Sequence, residues 1–185
     1  MFRLTVAPGL ELRQLELADT DAMFAVTERN RAHLREWLPW VDRTRSSADT
    51  RAFISSSLEQ FEDNKSPSCA IWLDGEIAGA LGCHRIDWLN RNCDLGYWID
   101  AAHQGKGVVT RCAAVMVDYL FDNSDLHRVT IRCGTGNHKS CAVPQRLGFM
   151  REGVLREAEW VNDRWVDLVV WSMLAHDWRR LHARK

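Results

Sequence analysis

A glycine-containing turn, residues 104–110 (Gln-Gly-Lys-Gly-Val-Val-Thr), lies between a predicted strand and a predicted helix. Glycine lets the backbone approach a ligand closely, and a helix start points unpaired N–H groups at whatever lies in front of it. The positive end of the helix dipole and the charge of Lys106 add to that attraction. The turn is therefore a candidate phosphate site, although an ordinary glycine-rich strand-to-helix turn has the same sequence features.

Two nucleotide-binding motifs can be tested against this turn, and both fail. A P-loop reads G-x-x-x-x-G-K-[ST], but here Asp100 stands at the first glycine position and Gly107 follows the lysine. A dinucleotide-binding fingerprint reads G-x-G-x-x-G, but Thr110 stands at its last position. The turn therefore predicts a phosphate-bearing ligand without matching either nucleotide motif.

The elements predicted around the turn place it between a sheet and a helix. Period-two alternation, a capping box at Ser46 and Asp49, and turn-forming pairs at residues 74–75 and 162–163 mark the element boundaries. The predicted strands cover residues 10–15, 69–73, 76–85, 92–99, 127–133, 152–161 and 164–174. The predicted helices cover residues 20–29, 30–40, 46–63, 108–120 and 140–147. This order predicts an α+β fold in one domain, residues 1–185, with a mixed central β-sheet of about seven strands flanked by about four helices.

Composition and charge argue against several classes of protein. The formal net charge of −1 at pH 7 gives no electrostatic reason to expect nucleic acid as a partner. No apolar run reaches the ~20 residues of a membrane span, so we expect no membrane partner. The six cysteines include no C-x-x-C pair, which favours free thiols in a reducing cytoplasm. The histidines lack metal-ligand spacing, so we expect no metal site.

The turn resembles the coenzyme A loop of the GNAT superfamily of N-acetyltransferases, which reads Gln/Arg-x-x-Gly-x-Gly/Ala before a helix. Gln104 and Gly107 match this pattern, while Val109 stands where the family has a small residue. Three other segments also resemble the family: residues 94–99 (Asp-Leu-Gly-Tyr-Trp-Ile), 137–140 (Asn-His-Lys-Ser) and 147–149 (Leu-Gly-Phe). The resemblance covers essentially the entire chain, and it implies a GNAT-like fold.

This resemblance implies acetyl-coenzyme A as co-substrate and direct transfer of its acetyl group to a primary amine. It assigns the turn to the diphosphate of coenzyme A, which Val109 would crowd slightly. Backbone N–H groups of the preceding strand would polarise the thioester carbonyl, and Asn137 would hydrogen-bond the pantetheine arm or the following turn. The implied cofactor-binding residues are Tyr97, Trp98, Ile99, Gln104, Gly105, Lys106, Gly107, Val108, Val109, Thr110, Asn137 and Ser140.

The resemblance also implies a base and an acid. An α-amine is mostly protonated at neutral pH, because its pKa is about 7.7–8.0, and Glu159 matches the family's proposed base. Strand alternation predicts that Glu157 shares a face with Glu159, so either carboxylate could accept the proton. Pro144 replaces the tyrosine that many members use as the acid. In the serine-acetyltransferase branch the acid is the serine that corresponds to Ser140, which is also a candidate helix N-cap.

The acceptor is implied by one branch of the superfamily. Residues 30–40 and 155–162 resemble ribosomal-protein-serine and -alanine N-acetyltransferases, which modify the α-amino group of a protein N-terminus; the resemblance also implies a homodimer. The expected acceptor-binding residues are Trp37, Trp40, Glu157 and Trp160, although tryptophans of this kind are more often core residues. Two alternatives stay open: an acetyltransferase for a small amine (a polyamine, an antibiotic or an amino acid derivative), and a non-catalytic acetyl-CoA-binding module.

Overall fold

A computed structural model describes residues 2–84 and 86–182, and these residues form the predicted α+β fold. The strands are β1 (Arg3–Ala7), β2 (Leu10–Gln14), β3 (Ser68–Leu73), β4 (Glu76–Cys83), β5 (Asn92–Ile99), β6 (Arg128–Gly134), β7 (Met150–Val161) and β8 (Arg164–Leu174). The α-helices are α1 (Thr20–Arg29), α2 (Arg31–Arg35), α3 (Ser47–Asn64), α4 (Val108–Asp122), α5 (His138–Arg146) and α6 (Ala175–His182). Arg85, the predicted end of one strand, lies outside the described residues.

The boundaries that depend on local chemistry are where the sequence predicts them. Ser46 and Asp49 make both hydrogen bonds of a capping box at the start of α3. The turns between β3 and β4 and between β7 and β8 place Asp74, Asn162 and Asp163 in the left-handed region that tight hairpin turns require. These predictions are confirmed. Each of these boundaries depends on only a few neighbouring residues, so the sequence alone is enough to predict it.

Three elements differ from the prediction. The sequence does not predict β1 and α6, so the described residues contain eight strands instead of about seven, and α6 is added to the five predicted helical segments, of which about four are expected to flank the sheet. β1 is a strand of five residues that pairs with β2, and α6 is a helix of eight residues that buries Ala175 and Trp178, so each offers only a short stretch of pattern to the sequence. The helical segment predicted over residues 30–40 is reduced to α2, which is followed by a single 3-10 turn, Val41–Arg43.

The sheet has the strand order β1-β2-β3-β4-β5-β6-β8-β7, and among the strands that the structure describes only β5 and β6 pair in parallel. Helices α1 and α3 cover one face, where Met23 and Ile54 are buried; we call this the α3 face. Helices α4 and α5 cover the other face, the α4 face, whose larger core includes Met116 and Leu120. All six cysteines are free, and five of them belong to this larger core.

The pairing of β5 with β6 is unusually short. It extends over three residue pairs, from Asn92 with Arg128 to Asp94 with Thr130, whereas β5 continues to Ile99 and β6 to Gly134. Beyond Asp94 the two strands have no further pairing, so they diverge and leave an opening in the middle of the sheet. Among the described residues, no helix has the length and apolar character needed to cross a bilayer.

Candidate active site

A cleft of about 1030 Å³ occupies the opening between β5 and β6. Its walls come from both faces of the sheet. Leu34 belongs to α2 and Trp37 follows this helix, on the α3 face, while Ser140 and Val143 belong to α5, on the α4 face. The end of β5 and the glycine turn form the remaining wall. Every residue from Gln104 to Thr110 lines this cleft, as the sequence predicts for a ligand-binding turn.

The two glycines of the turn adopt a backbone conformation that other residues rarely take. Gly105 has φ +72° and Gly107 has φ +71°, and open space surrounds the position where each Cβ would be. Gly107 is the N-cap of α4, so the N–H groups of Val108, Val109 and Thr110 in the first helical turn have no partner within the helix. Val109 also packs against the larger core, so part of its bulk is directed away from the cleft.

Basic side chains around the mouth of the cleft add to the positive end of α4. Besides Lys106, the lining includes Arg111, His138, Lys139 and Arg146. Of the described residues that line the cleft, Glu36 is the one that carries a carboxylate. The sequence prediction includes Lys106 but assigns no role to the other four, which lie on the exposed surface of α4 and α5. Arg111 and Arg146 belong to none of the segments that resemble the family, whereas His138 and Lys139 lie within residues 137–140. Together with the helix N-terminus, the charges of the lysines and arginines in this set favour a ligand with several phosphates.

Gln104 connects the glycine turn to two helices. Its amide contacts His33 of α2, and its carbonyl oxygen accepts a hydrogen bond from Lys139 Nζ of α5 at 2.8 Å. The side chain of Gln104 is thus held from both sides, which fixes the beginning of the turn.

Two backbone N–H groups of β5 are directed into the opening. His84 N–H donates to Asp94 C=O, and Asp100 N–H donates to Ala78 C=O, so the even-numbered residues of this part of β5 bond to β4. Since successive residues of a strand alternate in direction, the N–H groups of Tyr97 and Ile99 face away from β4, towards the diverging β6. The prediction that Trp98 shares this role is wrong, because its N–H lies on the side that pairs with β4.

Asn137, and not Ser140, is the N-cap of α5. The Asn137 side chain accepts a hydrogen bond from Ser140 N–H at 3.1 Å, which is the bond to the following turn that the sequence leaves open. The alternative interpretation of Ser140 as an N-cap is therefore wrong, and its hydroxyl donates instead to Cys133 Sγ at 3.4 Å. Burial raises the pKa of the Cys133 thiol to about 12, so this thiol stays protonated beside Ser140.

A bulge in β7 separates the two candidate carboxylates. Between the Leu155–Leu168 pair and the Glu159–Val166 pair, three residues of β7 lie opposite Asp167 of β8. In a regular ladder Glu157 would lie opposite Val166, but the two extra residues give that position to Glu159. Glu157 instead has φ 48°, is exposed, and donates its backbone N–H to Asp167 Oδ1 at 2.7 Å. The bulge therefore breaks the regular alternation on which the shared face was predicted, and of the two carboxylates only Glu159 keeps a partner in the ladder.

Glu159 and Ser140 lie on opposite faces of the sheet. A Cβ at Gly134 would contact both Trp37 and Val166, which places Val166 and its partner Glu159 on the α3 face. Glu159 is half-buried, and this burial raises the pKa of its carboxyl group, while the nearby charges of Arg132 and His84 act in the opposite direction. Ser140 contacts Cys133, which points to the α4 face because it precedes Gly134 in the strand and belongs to the larger core.

The aromatic residues predicted for the acceptor cleft divide into two groups. Trp37 lines the cleft and lies beneath the Arg164 guanidinium, 5.3 Å from the ring centroid. Trp40 lies beside Trp98, with ring centroids 6.1 Å apart, but does not line the cleft. Trp160 does not line the cleft either: the residue is 52% exposed and packs edge-on against Trp165, on the surface of the β7–β8 hairpin opposite to that of Glu159.

Proteins of known sequence that are similar to this chain include named N-acetyltransferases. YdaF of Bacillus subtilis (strain 168), provisionally named a ribosomal N-acetyltransferase, is 34% identical over 180 residues, which are 96% of this chain and 98% of that protein. The ribosomal-protein-serine acetyltransferase of Escherichia coli (strain K12) is 26% identical over 171 residues, 92% of this chain and 96% of that protein.

A solved structure and a family model extend the comparison. The structure of RimL, a ribosomal L7/L12 alpha-N-protein acetyltransferase in complex with coenzyme A, matches with TM-score 0.92 at 25% identity, covering 95% of this chain and 99% of that one. The family model described as the acetyltransferase (GNAT) domain matches residues 9–150, well over half of the chain. The chain therefore belongs to the GNAT acetyltransferases.

Proposed function

We propose that this N-acetyltransferase moves the acetyl group of acetyl-coenzyme A directly to the α-amino group of a protein N-terminus. The observation that carries the proposal is the opening between β5 and β6, which has the glycine turn at one end and Ser140 in its wall; Glu159 lies outside this wall, on the opposite face of the sheet. Such an opening lets a donor approach from the α4 face and an amine from the α3 face, with both reaching the same point.

The glycine turn would hold the diphosphate of coenzyme A. The open space at Gly105 and Gly107 lets the phosphates approach the backbone, and the unpaired N–H groups of the first turn of α4 donate to them. Lys106, Arg111 and Arg146 supply charge for a donor that carries several phosphate negative charges. When bound, acetyl-coenzyme A supplies an activated acetyl group as a thioester.

The end of β5 would polarise the thioester carbonyl. The N–H groups of Tyr97 and Ile99 face the opening, where β6 has moved away and no longer accepts from them. Backbone donors fixed by a strand stabilise the negative charge that develops on a carbonyl oxygen during attack, at little cost in reorganisation. This geometry supports a role for these two residues in the transfer itself.

Glu159 would act as the base. It takes one proton from the ammonium form of the acceptor, which leaves the nitrogen lone pair free to attack the carbonyl carbon. Its half-buried position favours this role, because burial raises the pKa of the carboxyl group towards that of the amine. After the reaction the proton leaves Glu159 for solvent, which restores the carboxylate.

Ser140 would act as the acid. As the new C–N bond forms and the C–S bond breaks, the hydroxyl passes a proton to the departing sulfur and regains one that the nitrogen loses. Of the three protons on the ammonium group, one has gone to Glu159, one ends on the thiol and one stays on the amide. The transfer is therefore balanced without an acyl-enzyme.

The α-amino group of a protein is the favoured acceptor because of two relatives. YdaF and the ribosomal-protein-serine acetyltransferase match this chain over nearly its full length, and both are named for ribosomal acetylation. Trp37, with the Arg164 guanidinium beside it, forms a wall on the α3 face against which a peptide backbone can pack.

A thioester-consumption assay tests the proposal. We expect turnover with peptides that begin with serine or alanine, and none with the same peptides blocked at the N-terminus but carrying a free lysine. Faster turnover with a polyamine or another small amine than with the peptides would show that the acceptor is a small amine and not a protein N-terminus. Binding of acetyl-coenzyme A without turnover on any amine would support a non-catalytic binding module.

A further inference from the structure

Helix α5 lacks one hydrogen bond in its interior. In an α-helix the C=O of Ser140 accepts from the N–H of residue 144, but this residue is Pro144, which has no N–H to give. Pro144 stands at the position where many family members have their acidic tyrosine. The replacement therefore removes a tyrosine hydroxyl and, in addition, frees the Ser140 carbonyl.

A tyrosine from another element makes the missing bond. The hydroxyl of Tyr97, on β5, donates to the Ser140 carbonyl oxygen at 2.9 Å. This bond reaches across the opening, from the strand that carries the proposed carbonyl donors to the helix that carries the proposed acid. Burial raises the pKa of the Tyr97 hydroxyl well above its usual range, so the group stays a neutral donor.

We propose that Tyr97 is a positioning residue for Ser140, because its hydroxyl replaces the N–H that Pro144 cannot supply and so fixes the first turn of α5 beside the opening. This inference rests on the proposed role of Ser140 as the acid. Tyr97 works through the Ser140 carbonyl, while Asn137 holds the Ser140 N–H. With its backbone held on both sides, the Ser140 hydroxyl keeps its place beside Cys133.

A double-mutant cycle on Tyr97 and Pro144 tests this role. We expect Tyr97→Phe to lower kcat about tenfold, with the KM for acetyl-coenzyme A changed by less than about twofold, because one buried hydrogen bond at the acid is lost. Pro144→Ala supplies an N–H at position 144 from within the helix. In that background Tyr97→Phe should lower kcat by less than about twofold.

The control variant is Tyr119→Phe, which removes the hydroxyl of the other tyrosine, on α4, and should leave kcat unchanged. An equal loss on Tyr97→Phe in both backgrounds would overturn the inference, since Tyr97 would then act as a proton donor in its own right. A wild-type kcat for Tyr97→Phe would overturn it as well.

Chemical unfolding of the four proteins of the cycle separates this inference from the proposed function. Tyr97→Phe should lower the unfolding midpoint more in the wild-type background than in the Pro144→Ala background, because only the first loses a hydrogen bond that nothing replaces. Equal shifts in the two backgrounds would overturn the replacement of the N–H by Tyr97. A wild-type rate for Ser140→Ala would remove the proposed acid but leave the unfolding result unchanged.

Discussion

Ser140 and Glu159, the two side chains assigned to the protons, are held in place by different kinds of structure. Ser140 lies in the first turn of α5, where Asn137 bonds its N–H and Tyr97 its carbonyl. Glu159 lies on β7, the outermost strand of the sheet, and faces Val166 only because a bulge displaces Glu157. The first position depends on bonds to the residue itself, and the second on the register of two strands.

This difference indicates that the two faces can vary separately. Helix α5 makes few contacts with β8, so we expect a change of register in the β7–β8 hairpin to leave the donor side, which consists of the glycine turn, α4 and α5, intact. A family with one donor and many acceptors benefits from such a division. The predictions below alter one face at a time.

The largest effect is expected at Gly107, on the donor side. Gly107→Trp should abolish measurable binding of acetyl-coenzyme A by calorimetry, because φ +71° strains any other residue and the indole would extend into the space meant for the diphosphate. Gly107→Ala, which brings the strain without the bulk, should weaken binding less. Unchanged affinity of Gly107→Trp would refute the placement of the donor.

The next effect is expected at Glu159, on the acceptor side. Glu159→Gln should lower kcat/KM for the acceptor by about 100-fold or more at neutral pH, as the loss of a general base does. Glu157→Gln, the matched control two residues away, should lower it far less, because Glu157 is exposed and lies in the bulge, outside the pairing with Val166. The reverse order of effects would assign the base to Glu157.

The pH profile sharpens the same comparison. Burial raises the pKa of the Glu159 carboxyl, and the base works only when deprotonated, so the acceptor kcat/KM should fall as pH decreases through this raised pKa. In Glu159→Gln that acid limb should be missing, and the rate should recover partly at high pH as free amine accumulates. The acid limb persisting unchanged in Glu159→Gln would show that it reports another group.

A smaller effect is expected at Asp167, which holds the bulge. Its Oδ1 accepts from Glu157 N–H at 2.7 Å, and its backbone carbonyl accepts from Thr135 N–H at 2.9 Å. Asp167→Ala should lower kcat about tenfold without changing the affinity for acetyl-coenzyme A, since one hydrogen bond that sets the register is lost. Asp167→Asn keeps the acceptor oxygen and should retain most of the rate. Equal losses in both variants would mean that the charge of Asp167, not its hydrogen bond, matters.

The sequence predicts the features that neighbouring residues determine, and it misses those that depend on strand pairing or on the folded chain. The glycine turn, the capping box at Ser46 and the hairpin turns are predictable because neighbouring residues determine them. The β7 bulge is not, because alternation assumes a regular ladder and only the partner strand reveals the two extra residues. The wrong assignment of Trp98 has a related cause, since the direction of a backbone N–H depends on which neighbour the strand pairs with. The sequence does not predict a role for Arg111 and Arg146, because only the folded chain brings them to the cleft.

The short pairing of β5 with β6 also has a consequence for solvent access to the backbone. Along one strand, the amide protons of Gly96 and Trp98 lie in the ladder with β4, whereas those of Tyr97 and Ile99 have no strand partner. Deuterium uptake should therefore alternate from residue to residue, fast at Tyr97 and Ile99 and slow at Gly96 and Trp98. The edge of β5 that faces β6 is therefore open to solvent, and bound acetyl-coenzyme A should slow the exchange of the Tyr97 and Ile99 amide protons.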